Sequence, residues 1–162
     1  MIELNVSGIS EFVLKLNNLD TDNMLLEIAT DLKAEIRKRV HVRGETADGS
    51  KIGTYSEEYM KVRTNDFKSK TVARGVRKGQ KRPVHNRDNS RKVILSLTRQ
   101  MESGLSVIKT EGGYGIGHSN SHNYDKAIWN EERYGKPIWD LSEKEKQMAE
   151  NIVEKYVRKI NY

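Results

Sequence analysis

The chain has no cysteine. That excludes disulfide staples, thiolate zinc sites and thiol nucleophiles. It has two prolines, so proline interrupts the backbone only at Pro83 and Pro137. No apolar run approaches the ~18 residues that a membrane-spanning helix needs. The opening Met1-Ile2-Glu3-Leu4-Asn5 has neither the basic nor the apolar region of a signal peptide, so a leader and a membrane are not expected. Hydrophobic residues make up 35% of the chain, below the ~45–50% usual in globular domains. The expected core is modest, the exposed area large, and part of the chain is expected to gain order on a partner. A length of 162 residues fits a single domain, 1–162.

Charge is what the chain has in abundance. Lys and Arg number 29 against 23 Asp and Glu, a net +6. The segment Lys61–Lys92 holds twelve cationic residues and two acids, Asp66 and Asp88, for a net +10. The remainder is therefore at −4. Between Asn65 and Ser90 the few apolar residues (Phe67, Val72, Ala73, Val76, Val84) follow no period of 2 or 3.6, and Gly75, Gly79 and Pro83 interrupt them. The segment at about 61–92 reads as a long basic loop or arm. A structureless loop beyond ~12–15 residues is usually functional or disordered. Lys68, Lys70, Arg74, Arg77, Lys78, Lys81, Arg82 and Arg87 are its candidate interface residues, facing a neighbouring subunit, another protein or DNA phosphates.

The frame around the arm reads as α+β. Ile2, Leu4 and Val6 alternate with polar residues, as in a short half-buried strand, and Ser10–Asn17 fits a short helix. Asp20, Thr21 and Asp22 offer an N-cap. Met24, Leu25, Ile28, Ala29, Leu32, Ile36 and Val40 then follow at helical spacing, predicting a helix over about 22–42 that stops at Gly44. Asp48-Gly49 marks a turn, and Ser56 caps one or two helical turns. Val93–Leu97 is a short apolar run, and Thr98–Gly104 reads as a turn or short helix. Leu105, Val107, Tyr114 and Ile116 alternate across Glu111-Gly112-Gly113, a hairpin near 105–118 with a three-residue loop. Gly115 and Gly117 in its second strand suggest a bulge or a close backbone approach. Tyr124–Arg133 fits either a strand, at about 124–130, or a short helix. Ser142-Glu143-Lys144-Glu145 is a capping box opening a helix over about 142–160. The predicted architecture is a small antiparallel sheet packed against the two long helices.

Motifs for chemistry are weak. His118 and His122 would share a face only on a helix, yet Ser119-Asn120-Ser121 between them is loop-like. Surface-loop histidines are the simpler reading. A nuclease would need a ligand cluster on rigid elements, and few carboxylates lie near these histidines or near His85. Glu131-Glu132 sits beside Arg133, and Glu143 with Glu145 belongs to a helix start, so both pairs read as structural. The glycines at 112–117 lie in a hairpin and form no phosphate cradle. Tyr124, Trp129, Tyr134 and Trp139 read as core anchors, with a base-stacking platform as the rival. No enzyme, metal or cofactor is expected.

The order of the elements resembles a family. Asp48-Gly49-Ser50-Lys51-Ile52, Tyr55-Ser56…Tyr59, Leu97-Thr98-Arg99-Gln100-Met101, Tyr114-Gly115-Ile116-Gly117, Tyr124-Asp125-Lys126-Ala127-Ile128-Trp129-Asn130-Glu131 and Pro137…Leu141-Ser142 follow one another as similar motifs do in bacteriophage tail-completion and head–tail connector proteins, also called virion morphogenesis or neck proteins. The resemblance covers nearly the whole chain. It departs at Thr98-Arg99-Gln100-Met101, where the family usually has Thr-Gly, and in the length of the basic arm. The resemblance implies a non-enzymatic virion subunit that forms a homo-oligomeric ring joining portal and head to tail. Implied neighbours are portal or adaptor proteins and the tail tube or tail terminator, with DNA passing through the ring. The implied locations are the virion neck and, during assembly, the host cytoplasm. The alternative is a small basic nucleic-acid-binding protein.

Overall fold

The computed structural model describes residues 20–66, 69–85 and 89–160. The expected strand at 2–6 and short helix at 10–17 lie outside the described residues. What is described is α+β: five helices and one two-stranded antiparallel sheet.

Helix α1, Thr21–Lys38, opens on Asp20, whose carboxylate accepts from the Asn23 backbone at 3.1 Å. Its apolar stripe buries Met24, Ala29, Leu32 and Ile36. The helix then widens into a π-helical turn, Arg39–Arg43, and stops at Gly44. Only glycine fits there. Its φ is +62°, and a Cβ would lie 2.3 Å from the Val93 carbonyl oxygen. The turn at 46–50 follows, with Gly49 at φ +80°. Helix α2, Glu57–Thr64, starts at Ser56, whose hydroxyl accepts from Tyr59 at 3.2 Å. Helix α3 is short, Gln100–Gly104.

Strands β1, Leu105–Thr110, and β2, Gly113–His118, pair in continuous register from Leu105 opposite His118 to Thr110 opposite Gly113. The loop is therefore two residues, Glu111-Gly112, because Gly113 already pairs. The pairing carries no bulge at Gly115 or Gly117. A Cβ on Gly117 would meet the Ile108 side chain at 3.5 Å, an ordinary contact, so neither a bulge nor close packing demands glycine there.

Residues 121–134 are helical, not a strand. Helix α4, Ser121–Tyr134, is capped by the Asn120 side chain, which accepts from Asn123 at 2.8 Å, and ends at Gly135 in the left-handed region. Asn120 and Gly135 are the start and stop signals that decide between the two readings. Helix α5, Glu143–Ile160, opens on the expected capping box. Ser142 donates its N–H to Glu145 at 2.8 Å, and Glu145 returns its own to the Ser142 hydroxyl at 3.3 Å.

The core gathers Ile36, Val40, Ile52, Tyr55, Val93, Leu105 and Ile138 from six different segments. Helix α5 lies on α1 through buried Ile152, and Glu27 on α1 accepts from Lys155 and Tyr156 at 2.7 and 2.8 Å. Arg39 and Glu145 tie the same elements together inside the protein. They pair at 2.8 Å with side chains 3% and 0% exposed. The guanidinium also donates to the carbonyls of Ile138 at 2.9 Å and Asp140 at 2.7 Å. A buried charge pair is tolerated only when its remaining hydrogen-bonding capacity is met, and here it is.

Candidate functional site: a basic ribbon

The basic arm begins in a helix and continues as a loop. Helix α2 takes up its first residues, including Lys61 and Arg63. Beyond it, residues 69–85 fold back as a short antiparallel ribbon around a Thr71–Lys81 bridge. Arg82 donates its backbone N–H to Lys70, and Val72 donates to Gln80, each at 2.9 Å. At the tip, Lys78 bonds back to Gly75 and Gln80 to Arg77. Gly75 and Gly79, at φ +83° and +82°, allow this reversal. The segment beyond α2 is a loop, as expected, with no helix or strand of its own, and within 69–85 it turns back on itself across one isolated bridge. The glycines that break a helical or strand period are the residues that let the tip turn.

The ribbon is fixed to the core at its exit. Tyr55 donates its N–H to the Arg91 carbonyl at 2.7 Å, and Val93 to Gly53 at 3.1 Å. The Tyr55 hydroxyl accepts from Ile94 at 3.1 Å, and the Arg91 guanidinium grips the Tyr55 carbonyl at 3.3 Å. Val93 is fully buried. Residues 91–94 are thus held against the core.

Six of the eight candidate residues lie on this ribbon. Lys70, Arg74, Arg77, Lys78 and Lys81 are exposed and form no ion pair among the described residues. Arg82 is half-buried and donates from Nε to the Thr71 carbonyl at 3.1 Å. Lys68 and Arg87 lie outside the described residues. Residues 69–85 contain no acid, and Val76 at the tip is fully exposed. Such a strip repels itself at distances within the Debye length, ~8–10 Å at ordinary salt, and gains on meeting an anionic surface.

The histidines are placed differently from expectation. His118 ends β2 and packs edge-on against Trp139, with ring centroids 5.1 Å apart, and is no surface-loop residue. Neither of its ring nitrogens has a partner among the described residues. His41 is buried on the other side of Trp139, 5.9 Å between centroids, with Nδ1 3.3 Å from the Ile94 carbonyl. Burial holds both rings below the usual histidine pKa. His122 is exposed in the first turn of α4. No group of three or more His, Asp or Glu among the described residues is arranged to hold a metal.

The carboxylate pairs are structural, as the sequence suggested. Glu131 accepts from the N–H groups of Ile138 and Trp139 at 2.8 and 2.9 Å. Glu145 serves the capping box and Arg39. The aromatic residues divide. Tyr134 and Trp139 pack on the core, whereas Trp129 and Tyr124 are 59% and 57% exposed, correcting their reading as core anchors. With Ile128 they give α4 an apolar outer face. Between α1, the hairpin and α4 lies an apolar cleft of about 600 Å³, lined by Leu25, Leu32, Ile116 and Trp139 among others.

The chain matches no protein-family model, no curated protein and no solved structure.

Proposed function

We propose that this chain is a structural subunit of a tailed-phage neck, a head–tail connector or tail-completion protein that assembles into a ring between head and tail. The observation that carries the reading is the acid-free ribbon with six cations, five of them exposed and in no ion pair among the described residues. A closed ring needs heterologous contacts, in which one patch of a subunit meets a different patch of its neighbour. The ribbon supplies a charged patch, and the exposed Tyr124, Ile128 and Trp129 of α4 supply an apolar one. The resemblance in motif order supports the phage assignment.

The same ribbon favours a second reading, a nucleic-acid-binding module whose cations meet phosphates. Mass photometry over a concentration series at low and high salt tests the first reading. A discrete ring-sized species is expected to appear with concentration. Strict monomers at every concentration, together with duplex DNA binding that weakens steeply with salt, would transfer the ribbon to the second.

A further inference from the structure

A second basic feature lies away from the ribbon. A pocket of about 300 Å³ opens between α2, the 95–101 segment and α4. Its apolar wall includes Tyr59, Leu95, Leu97 and Met101. Its cations are Arg99, Lys126 and Arg133, and no Asp or Glu lines it. None of the three cations forms an ion pair among the described residues. Lys126, Asn130 and Arg133 follow at helical spacing, so α4 presents them on one face.

Two further observations bear on the pocket. Arg63 is completely buried, yet no carboxylate pairs with it among the described residues. Its Nη1 donates to the Ser96 carbonyl at 3.3 Å, its Nε has no partner, and its guanidinium stacks 4.4 Å from the ring of Tyr55. Tyr55 is itself part of the pocket wall. This buried cation lies behind the Tyr55 wall of the pocket, where the low dielectric makes an incoming anion count for more. The backbone of the wall is also strained. Leu95 and Arg99 have φ of +43° and +62°, a region costly for residues with a Cβ and found most often where a site is pre-formed.

We infer that this pocket binds an acidic–apolar peptide segment of a partner protein, one that sets a carboxylate beside an aromatic or aliphatic side chain. The carboxylate meets Arg99, Lys126 and Arg133, and the apolar side chain enters against Leu95, Leu97 and Met101. The aliphatic side chains of Leu95, Leu97 and Met101 suit an aliphatic or aromatic side chain, and the three cations beside them suit its neighbouring carboxylate. The inference does not rest on ring assembly and uses none of the ribbon residues.

The test is a random-peptide display selection on the full chain, with a R99Q/K126Q/R133Q variant as counter-target and thermal melting to confirm that the variant folds. An enriched peptide is then synthesised with a fluorescent label. The expected result is a consensus with Asp or Glu next to an aromatic or aliphatic residue. Its affinity should fall about tenfold or more in the triple variant, and it should perturb the methyl NMR signals of Leu95, Leu97 and Met101. Neutralising the ribbon cations should leave it unchanged. Absence of enrichment, a consensus without acids, or equal binding to the triple variant would overturn the proposal. So would duplex DNA that displaces the peptide and moves the same methyl signals, since the pocket would then serve phosphates.

Discussion

Single side chains carry two different kinds of buried charge in this protein. Arg39 has a carboxylate and three carbonyls around it, so removing Glu145 strands a charge in the interior. Glu145→Ala should destabilise by about 3–5 kcal/mol in urea unfolding, since breaking one side of a buried pair costs that much. Arg39→Met with Glu145→Leu together should cost much less than the two single changes summed, because both charges leave. The histidines act in the opposite sense. Burial disfavours their charged forms, although Glu102 and the Ile94 carbonyl partly oppose it at His41. A folded pKa below the unfolded 6.5 means that the unfolded chain binds the proton first. Stability should therefore be full above about pH 6.5 and fall as pH drops through the folded values. Carboxylates such as Glu102 and Glu35 have folded values below the ordinary 4.5, so their loss belongs to a lower window. His118→Leu, which removes two unpartnered ring nitrogens, should shallow the decline between pH 7 and 5 in denaturant titrations. An unchanged slope would mean His118 contributes nothing to it.

Among the elements, α4 and the segment after it are held by one carboxylate. Glu131 accepts two backbone N–H groups from the 138–139 stretch, and Ile138 is completely buried. Those donors would otherwise lie in the interior with no partner. Both N–H groups meet the same oxygen, Oε1, so Glu131→Ala should cost about 2–3 kcal/mol, whereas Glu131→Gln, which keeps one acceptor oxygen, should cost well under half of that. Equal losses would place the role in packing instead. At the other face, α5 meets α1 through Ile152. Ile152→Ala should destabilise by about 2–4 kcal/mol by thermal or chemical unfolding, as truncations of buried aliphatics do. Val153 and Val157 are more than one-third exposed, so the same truncation there should cost well under half as much.

For the molecule as a whole, the ribbon separates binding from folding. Five of its six cations are exposed, Arg82 is half-buried on the Thr71 carbonyl, and the mutual repulsion of the cations gives folding nothing. Replacing Lys70, Arg74, Arg77, Lys78 and Lys81 with Gln should leave the melting temperature within a degree or two, roughly what surface changes produce. It should also abolish salt-sensitive association, whether with a second copy or with DNA, as read by light scattering and DNA titration. A large drop in melting temperature would instead make the ribbon part of the folded domain's stability.

The sequence by itself determined the features that depend on nearest neighbours along the chain. The stripe of α1, the Gly44 stop, the capping box of α5, the hairpin and the basic character of 61–92 all follow from local spacing and capping, and all are present in the described residues. Tyr124–Arg133 is ambiguous in the sequence because its apolar residues, Ala127-Ile128-Trp129, are adjacent and fit either period. The caps at Asn120 and Gly135 resolve it. What only the tertiary structure decided concerns residues distant in sequence. Arg39 reads as one more surface cation until Glu145, 106 residues on, meets it in the interior. Arg63 reads as part of the basic arm until the fold buries it against Tyr55. Arg99, Lys126 and Arg133 share a pocket only because α3 and α4 are brought together, and no period along the chain announces that meeting. Local pattern specifies which backbone forms, whereas burial and long-range pairing specify which charges are spent inside the domain and which remain available to a partner.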